Sequence, residues 1–149
     1  MNYKAFPIAI LAVTGGIALA SEKPVQMSEL PAAVRQAVQK ETKGATIRGL
    51  SKETENGKTY YEAETMVNGR HRDLLFNASG SVAEIEDQTE ISNIPAPARH
   101  AIEQFAAGGK VLTVEAVNSN GATSYEAQVR KSSGKRAEVK VSPEGKIVK

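Results

Sequence analysis

The sequence predicts an α+β fold, namely a tandem repeat of a helix packed on a four-stranded antiparallel β-meander, preceded by a signal peptide. Three observations predict this class. An uncharged apolar stretch follows Lys4, the remaining chain matches itself at an offset of 64 residues, and apolar spacing within each matching block changes from a helical to a strand period. The expected organisation is a signal peptide at 1–20, a first repeat at 25–86 and a second repeat at 87–149.

The N-terminal stretch has the pattern of a cleaved signal peptide. Residues 5–20 carry no charge and end in Ala18-Leu19-Ala20, a small-residue cleavage pattern. An uncleaved anchor is the alternative, but the apolar stretch is shorter than the ~20 residues of a spanning helix. The chain contains no Cys, which excludes disulfides, thiolate metal ligands and a cysteine-linked lipid anchor. We therefore expect a periplasmic or secreted protein with no stable membrane insertion after cleavage.

The matching blocks predict the elements of each repeat. Between Leu30 and Ala63, 11 of 34 positions are identical to those 64 residues later. A helix is expected from a cap at Ser28 to a stop at Gly44, and another from Asn93 to Gly108. Asn-Gly hairpin signals and apolar alternation then predict strands near 46–54, 59–67, 71–77 and 82–85, and near 110–118, 123–131, 136–142 and 146–148. Residues 86–92 are expected to link the repeats.

The recurring pattern resembles a known family. Each repeat has a helix beginning Leu/Ile-Pro, then Tyr-Glu-Ala after Asn-Gly, and then an apolar strand ending before Gly80 or Gly145. This pattern is similar to that of the tandem PepSY-like, beta-lactamase-inhibitor-like proteins exported by bacteria. The resemblance covers roughly residues 25–149. It implies a helix on a four-stranded antiparallel sheet, a location outside the cytoplasm, and binding rather than catalysis, with inhibition of a peptidase or another envelope enzyme as one form.

Residues with catalytic or metal-binding chemistry are few. His71 lies between Arg70 and Arg72, and His100 has no second histidine at ligand spacing, so both are interpreted as surface residues. No nucleophile–base pattern, phosphate loop or dinucleotide motif occurs. The sequence therefore predicts no enzyme, no cofactor and no metal site. The near-neutral formal charge of +2 predicts no nucleic-acid partner.

The uncovered face of the first sheet is the predicted binding surface. Apolar side chains ringed by charges are typical of a protein contact patch, and we expect such a patch to bind a protein or peptide of the cell envelope. Its predicted residues are Tyr60, Glu62, Glu64, Met66, Arg70, Arg72 and Leu75. Packing of this face against the other repeat is an equal alternative. A small-ligand or metal-ion sensor using the acidic residues is the second functional hypothesis, and a monomer is expected.

Overall fold

The computed structural model describes residues 23–55 and 57–148. The predicted signal peptide, Asn56 of the first hairpin turn and Lys149 lie outside the described residues. The strands are β1 (Lys23–Pro24), β2 (Thr46–Glu55), β3 (Lys58–Val67), β4 (Arg70–Asn77), β5 (Val82–Thr89), β6 (Lys110–Ser119), β7 (Ala122–Arg130) and β8 (Arg136–Val141), and the helices are α1 (Ala32–Glu41) and α2 (Ala96–Ala106). No helix in this part of the chain is long and apolar enough to cross a membrane.

All eight strands form one antiparallel sheet, in which they follow their order in the chain. The predicted tandem repeat of a helix on a four-stranded meander is therefore wrong. Strand β5 pairs with β6 from Glu84–Ser119 to Thr89–Val114, so the two halves share one sheet. The strand predicted near 146–148 is reduced to a single bridge between Val141 and Ile147. Joining the halves satisfies backbone groups that two separate meanders would leave unpaired at their edges.

The predicted linker and helix starts also need correction. Residues 86–89 belong to β5 rather than to a loop. Helix α1 begins at Ala32, with Pro31 at its N-cap and no side-chain cap, while Ser28 lies in a separate 3-10 turn. The backbone of Leu30 is extended (φ −68°, ψ 141°) because a residue before proline disfavours the helical region. Pro95 separates a second 3-10 turn from α2 in the same way.

Both helices pack on one face of the sheet. Helix α1 buries Val34 and Val38 in a cluster with Ala63, Leu74 and Phe76. Helix α2 buries Ala98 and Ile102 in a cluster that includes Val114, Ala127, Val129, Val139 and Val141. Directly opposite residues of an antiparallel pair share a face, and the pairing of Thr89 with Val114 and of Ile85 with Asn118 puts the two clusters on the same side. We call this side the helix face and the other side the open face.

Candidate functional site: a carboxylate cluster on the open face

Acidic side chains line the open face from β2 to β8. The strand register places there nine carboxyl groups that the structure describes, which we call the carboxylate cluster: Glu53, Glu62, Glu64, Asp73, Glu84, Glu86, Glu115, Glu126 and Glu138. The sequence produces this arrangement because each acidic residue alternates along its strand with residues of the helix face, and alternate residues point to opposite faces. The cluster therefore crosses the joint between the two halves of the sheet.

Several of these acidic residues are direct cross-strand neighbours. Glu64 lies opposite Asp73, and Asp73 lies opposite Glu86 on its other side. Glu115 likewise lies opposite Glu126. Like charges directly opposite each other destabilise a sheet. The fold thus brings together groups that would repel one another if all were ionised.

Lys140 is a cation within the cluster. Its Nζ lies 3.3 Å from Oε1 of Glu84 and 3.9 Å from Oε2 of Glu126. Although burial lowers the pKa of Lys140, attraction to Glu84 and Glu126 outweighs burial, and its pKa is raised overall. His71, opposite Met66, also lies on the open face. The register also places four exposed basic residues at the ends of the open face: Lys58, Lys110, Arg130 and Arg136. The nine carboxyl groups still outnumber the lysines and arginines of this face.

Burial and mutual repulsion keep protons on part of the cluster. Burial is the main cause of raised pKa values at Glu62, Glu86 and Glu126, and repulsion from neighbouring carboxylates adds to it. Hydrogen bonding to a neighbouring carboxyl group is a further cause of each raised pKa, from Glu53 at Glu62, from Glu84 at Glu86 and from Glu138 at Glu126. A carboxylate has no proton to donate, so each of these bonds requires one carboxyl group of the pair to be protonated.

Glu115 lies close to the middle of the sheet and shows the same effect. Burial, followed by repulsion from Asp73 and Glu126, raises the pKa of Glu115 to about 7. Burial also raises the pKa of Asp73, against the stabilising hydrogen bond that the Thr65 amide donates to Asp73 Oδ1 at 2.9 Å. Glu115 therefore changes its charge near neutral pH.

Three carboxyl groups converge at the joint. Glu86 of β5, Glu115 of β6 and Glu126 of β7 each offer one oxygen, and these oxygens all lie within 4.8 Å of one another. Carboxylate oxygens are the ligands of hard cations such as Ca²⁺, whose oxygen ligands lie at about 2.3–2.6 Å. The three residues have the ligand chemistry for such a cation.

The structure divides the residues predicted for the binding surface. Tyr60, Glu62, Glu64, Met66 and Leu75 share the open face. Arg70 and Arg72 lie on the helix face, because they pair with Val67 and Thr65 across the Asn68-Gly69 turn. There an Nη1–Oδ1 distance of 3.0 Å joins Arg72 to Asp87, and Arg70 lies 4.0 Å from Glu90. The two arginines therefore cannot ring the apolar residues of the open face.

The sequence itself indicates on which face of the sheet the two arginines lie. A two-residue turn places Val67 directly opposite Arg70, so an inward Val67 puts Arg70 and Arg72 on the helix side. The acidic residues of β6 to β8 had no such signal. Their membership of the same surface depends on the pairing of β5 with β6, which no local pattern specifies.

Comparisons with known proteins establish a fold likeness. No family model matches the sequence, and no curated protein matches it. A solved structure from Bacteroides eggerthii, described as a candidate periplasmic protein, is 19% identical with a TM-score of 0.63, over 80% of this chain and 86% of that chain. A DUF2874 family protein from Bacteroides uniformis is 21% identical with a TM-score of 0.59, over 80% and 86% of the two chains.

A third solved structure bears on the predicted resemblance. A BLIP-like protein from Bacteroides fragilis is 22% identical with a TM-score of 0.54, over 80% of this chain and 84% of that chain. The chain thus shares its fold with a BLIP-like protein and with DUF2874 family proteins. The beta-lactamase-inhibitor-like part of the resemblance is confirmed at the level of the fold, and the PepSY part stays a prediction.

Proposed function

We propose that this chain is a non-enzymatic binding module acting in the periplasm or outside the cell, and that its open face captures a positively charged segment of a protein or peptide. The observation that carries the proposal is the carboxylate cluster, in which nine acidic groups surround Lys140 and outnumber the lysines and arginines of the open face. Charge complementarity steers partners and selects among them. Likeness in fold to a candidate periplasmic protein and to a BLIP-like protein supports the location and the binding role.

The energetics of the cluster favour a binding role. Half-buried like charges reduce the stability of the free protein, and the helix face alone provides both hydrophobic clusters. Such destabilising arrangements concentrate at functional sites, where a ligand compensates them. A cationic partner would neutralise the repulsion on binding. Inhibition of an envelope enzyme is one form that such capture would take.

Apolar side chains within the acidic surface give a partner more than charge to contact. Tyr60, Met66 and Leu75 are half-buried on the open face, and Leu75 lies between Glu62 and Glu84 in the register. Interfaces combine such apolar anchors with charged surroundings. We therefore expect a partner segment in which lysine or arginine alternates with apolar residues.

Peptide affinity of matched variants tests this proposal. The probe is a lysine homopeptide of about ten residues, and a glutamate homopeptide is its negative control. Replacing three open-face carboxyl groups by amides, as Glu62→Gln/Glu86→Gln/Glu115→Gln, should weaken peptide binding at least about tenfold, or ~1.4 kcal/mol, in isothermal titration calorimetry. Binding by the wild type should also weaken as salt is raised from about 0.02 to 0.3 M.

The control variant carries the same number of Glu→Gln replacements at exposed carboxylates elsewhere. Glu41→Gln/Glu103→Gln/Glu144→Gln alters α1, α2 and the C-terminal turn, all away from the open face. It should retain wild-type affinity for the lysine peptide. Equal weakening of both triple variants would show that net charge, rather than the carboxylate cluster, governs binding.

A divalent cation is the second candidate ligand, favoured by the convergence of Glu86, Glu115 and Glu126. Calorimetric titration with calcium, zinc and copper tests it. A role in cation binding predicts heat of binding in the wild type and in the control triple variant, and its loss in Glu115→Gln. Absence of heat with all three ions, at affinities of about millimolar and tighter, would remove this candidate.

A further inference from the structure

We propose that a cavity at the end of α1 binds the ring of a small aromatic carboxylic acid. The cavity has a volume of about 410 Å³ and lies between the C-terminal end of α1 and the end of the hairpin that joins β3 to β4. Thr65 and Leu74 of its lining belong to the helix face, on the side of the sheet opposite the carboxylate cluster. The site is therefore separate from the open face and does not rest on the proposed function.

The second half of the molecule has an aromatic ring at the equivalent position. Phe105 of α2 stands 64 residues after Glu41, which lines the cavity at the end of α1. The Phe105 side chain packs against the hydrophobic cluster of α2, and Nζ of Lys131 lies 4.2 Å from the ring centroid, which is the geometry of a cation–π contact. At Gly109 the chain approaches β7 so closely that a Cβ would collide with the carbonyl oxygen of Arg130. The second half is thus closed where the first half has its cavity.

The first half lacks that ring. Glu41 is exposed, and its Oε1 lies 2.8 Å from Nζ of Lys40. Beneath it, Thr65 and Leu74 are buried residues of the cavity lining. The hydroxyl of Thr65 donates to the backbone carbonyl of Arg72, so an apolar ring placed over Thr65 would leave that hydroxyl paired. The lining can therefore accept a ring from a ligand in the place that Phe105 fills in the other half.

The charges around the cavity favour a ligand with an acidic group. Lys43 and Arg72 line the cavity together with one acidic residue, Glu41. Glu41 is paired with Lys40, and Arg72 is paired with Asp87 at 3.0 Å. Among the described residues no ion pair involves Lys43, which is exposed beside the cavity. Lys43 is therefore available to the carboxylate of a ligand whose ring lies over Leu74.

The size of the cavity agrees with a small aromatic acid. Small-molecule sites in proteins have volumes of about 300–1,000 Å³, and an apolar cavity of about 150 Å³ accommodates benzene. A volume of about 410 Å³ is thus sufficient for a phenyl ring and a short acidic arm. We choose 3-phenylpropanoate as the probe because it has only these two parts.

Amide chemical-shift changes of the purified protein during titration with 3-phenylpropanoate test the class of ligand. We expect saturable changes around Lys43, Ala45 and Asn68, with an affinity of about millimolar, as for other ligands of about eleven heavy atoms. Butanoate, which lacks the ring, should produce no saturable change, and 3-phenylpropan-1-ol, which lacks the charge, should bind about three- to tenfold more weakly. The absence of saturation up to ~10 mM, or an equal response to butanoate, would overturn the proposal.

The variant Glu41→Phe tests the location, because it gives α1 the residue that α2 has at the equivalent position. It should weaken 3-phenylpropanoate binding at least about tenfold and raise the midpoint of urea unfolding. Glu103→Phe is the matched control, since it makes the same replacement at an exposed position of α2 away from the cavity. This control should keep the affinity of the wild type and should not raise the midpoint.

A second variant, Lys43→Gln, tests the charge contribution without filling the cavity. It should weaken binding of 3-phenylpropanoate about three- to tenfold and leave the affinity for 3-phenylpropan-1-ol unchanged. Wild-type affinity in Glu41→Phe, or an equal loss in Glu41→Phe and Glu103→Phe, would overturn the site. Lysine-peptide binding by Glu41→Phe should equal that of the wild type, so this inference and the proposed function fail separately.

Discussion

At the scale of single residues, the carboxyl groups of the open face are held where their charged forms are disfavoured. Glu126 is 17% exposed and Glu84 is 19% exposed, yet α1 and α2 both lie on the opposite side of the sheet. A stable fold does not require this arrangement, so its cost in stability is informative about function.

The free energy of unfolding should fall as pH rises, and Glu115 provides the clearest case. Its ordinary pKa of 4.5 is raised to about 7 by burial first and by Asp73 and Glu126 second. Between pH 4.5 and about pH 7 the folded state binds more protons than the unfolded state, so the free energy of unfolding decreases through this pH window. Above the window the destabilisation by ionised Glu115 is complete. Below it Glu115 is protonated in both states, and this destabilisation is absent.

The variant Glu115→Gln should remove part of this pH dependence. At about pH 8 it should be more stable than the wild type by ~1–2 kcal/mol after allowance for solvent screening, and at about pH 4 the two should be equally stable. Urea unfolding at both pH values measures the difference. A variant that is destabilised equally at both values would contradict the expected cost of the ionised carboxylate.

Residue-level prediction from the sequence succeeded where a local pattern fixed the face of a strand. Alternation placed Glu62 and Glu64 with Tyr60 and Met66 on one side, and the register agrees. It was wrong for Arg70, because the two-residue turn pairs Arg70 with Val67 and so places Arg70 on the helix face. Whether these side chains contact a partner stays a prediction.

At the scale of elements, strand positions follow from the sequence more closely than helix starts. Asn120 and Gly121 have positive φ values of 51° and 80°, as a two-residue hairpin turn requires, and they join β6 to β7 as predicted. The helices begin later than predicted, because Pro31 and Pro95 force an extended residue before them. A weak capping signal at Ser28 lost to this steric restriction.

Turn glycines fix the helices to the sheet in two places. A Cβ at Gly145 would lie 2.5 Å from the carbonyl oxygen of Pro97 in α2, and one at Gly80 would lie 2.6 Å from that of Ala33 in α1. Both glycines also have positive φ, at 81° and 85°. These turns therefore pass under the first turn of each helix, at a distance that only glycine permits.

The variant Gly145→Ala should be less stable than a matched variant, Gly134→Ala. Gly134 has nearly the same φ, 83°, but a Cβ there would meet nothing within 4 Å. The cost of the left-handed backbone conformation is common to both variants. Gly145→Ala should lower the free energy of unfolding by a further ~1–3 kcal/mol, because the added Cβ meets the helix where the turn approaches α2. Chemical denaturation of the two proteins provides the comparison. Equal stability would show that the helix moves aside without cost.

At the scale of the whole molecule, the sheet is continuous and the proposed binding surface depends on that continuity. Glu86 and Glu115 belong to the two halves, and they are brought together only because β5 pairs with β6. The sequence similarity between the halves favoured two separate sheets, since it describes each half and says nothing about their joint. Glu115, Glu126 and Glu138 were not predicted to share the surface for that reason.

The most direct test of the proposed surface is an amide chemical-shift map of the purified protein during titration with the lysine peptide. We expect perturbations on the open face of β3 to β7, continuous across the joint from Leu75 through Glu86 and Glu115 to Glu126, with α1 and α2 unaffected. Perturbations confined to the helices, to the edge strands or to one half of the sheet would contradict a single acidic binding surface.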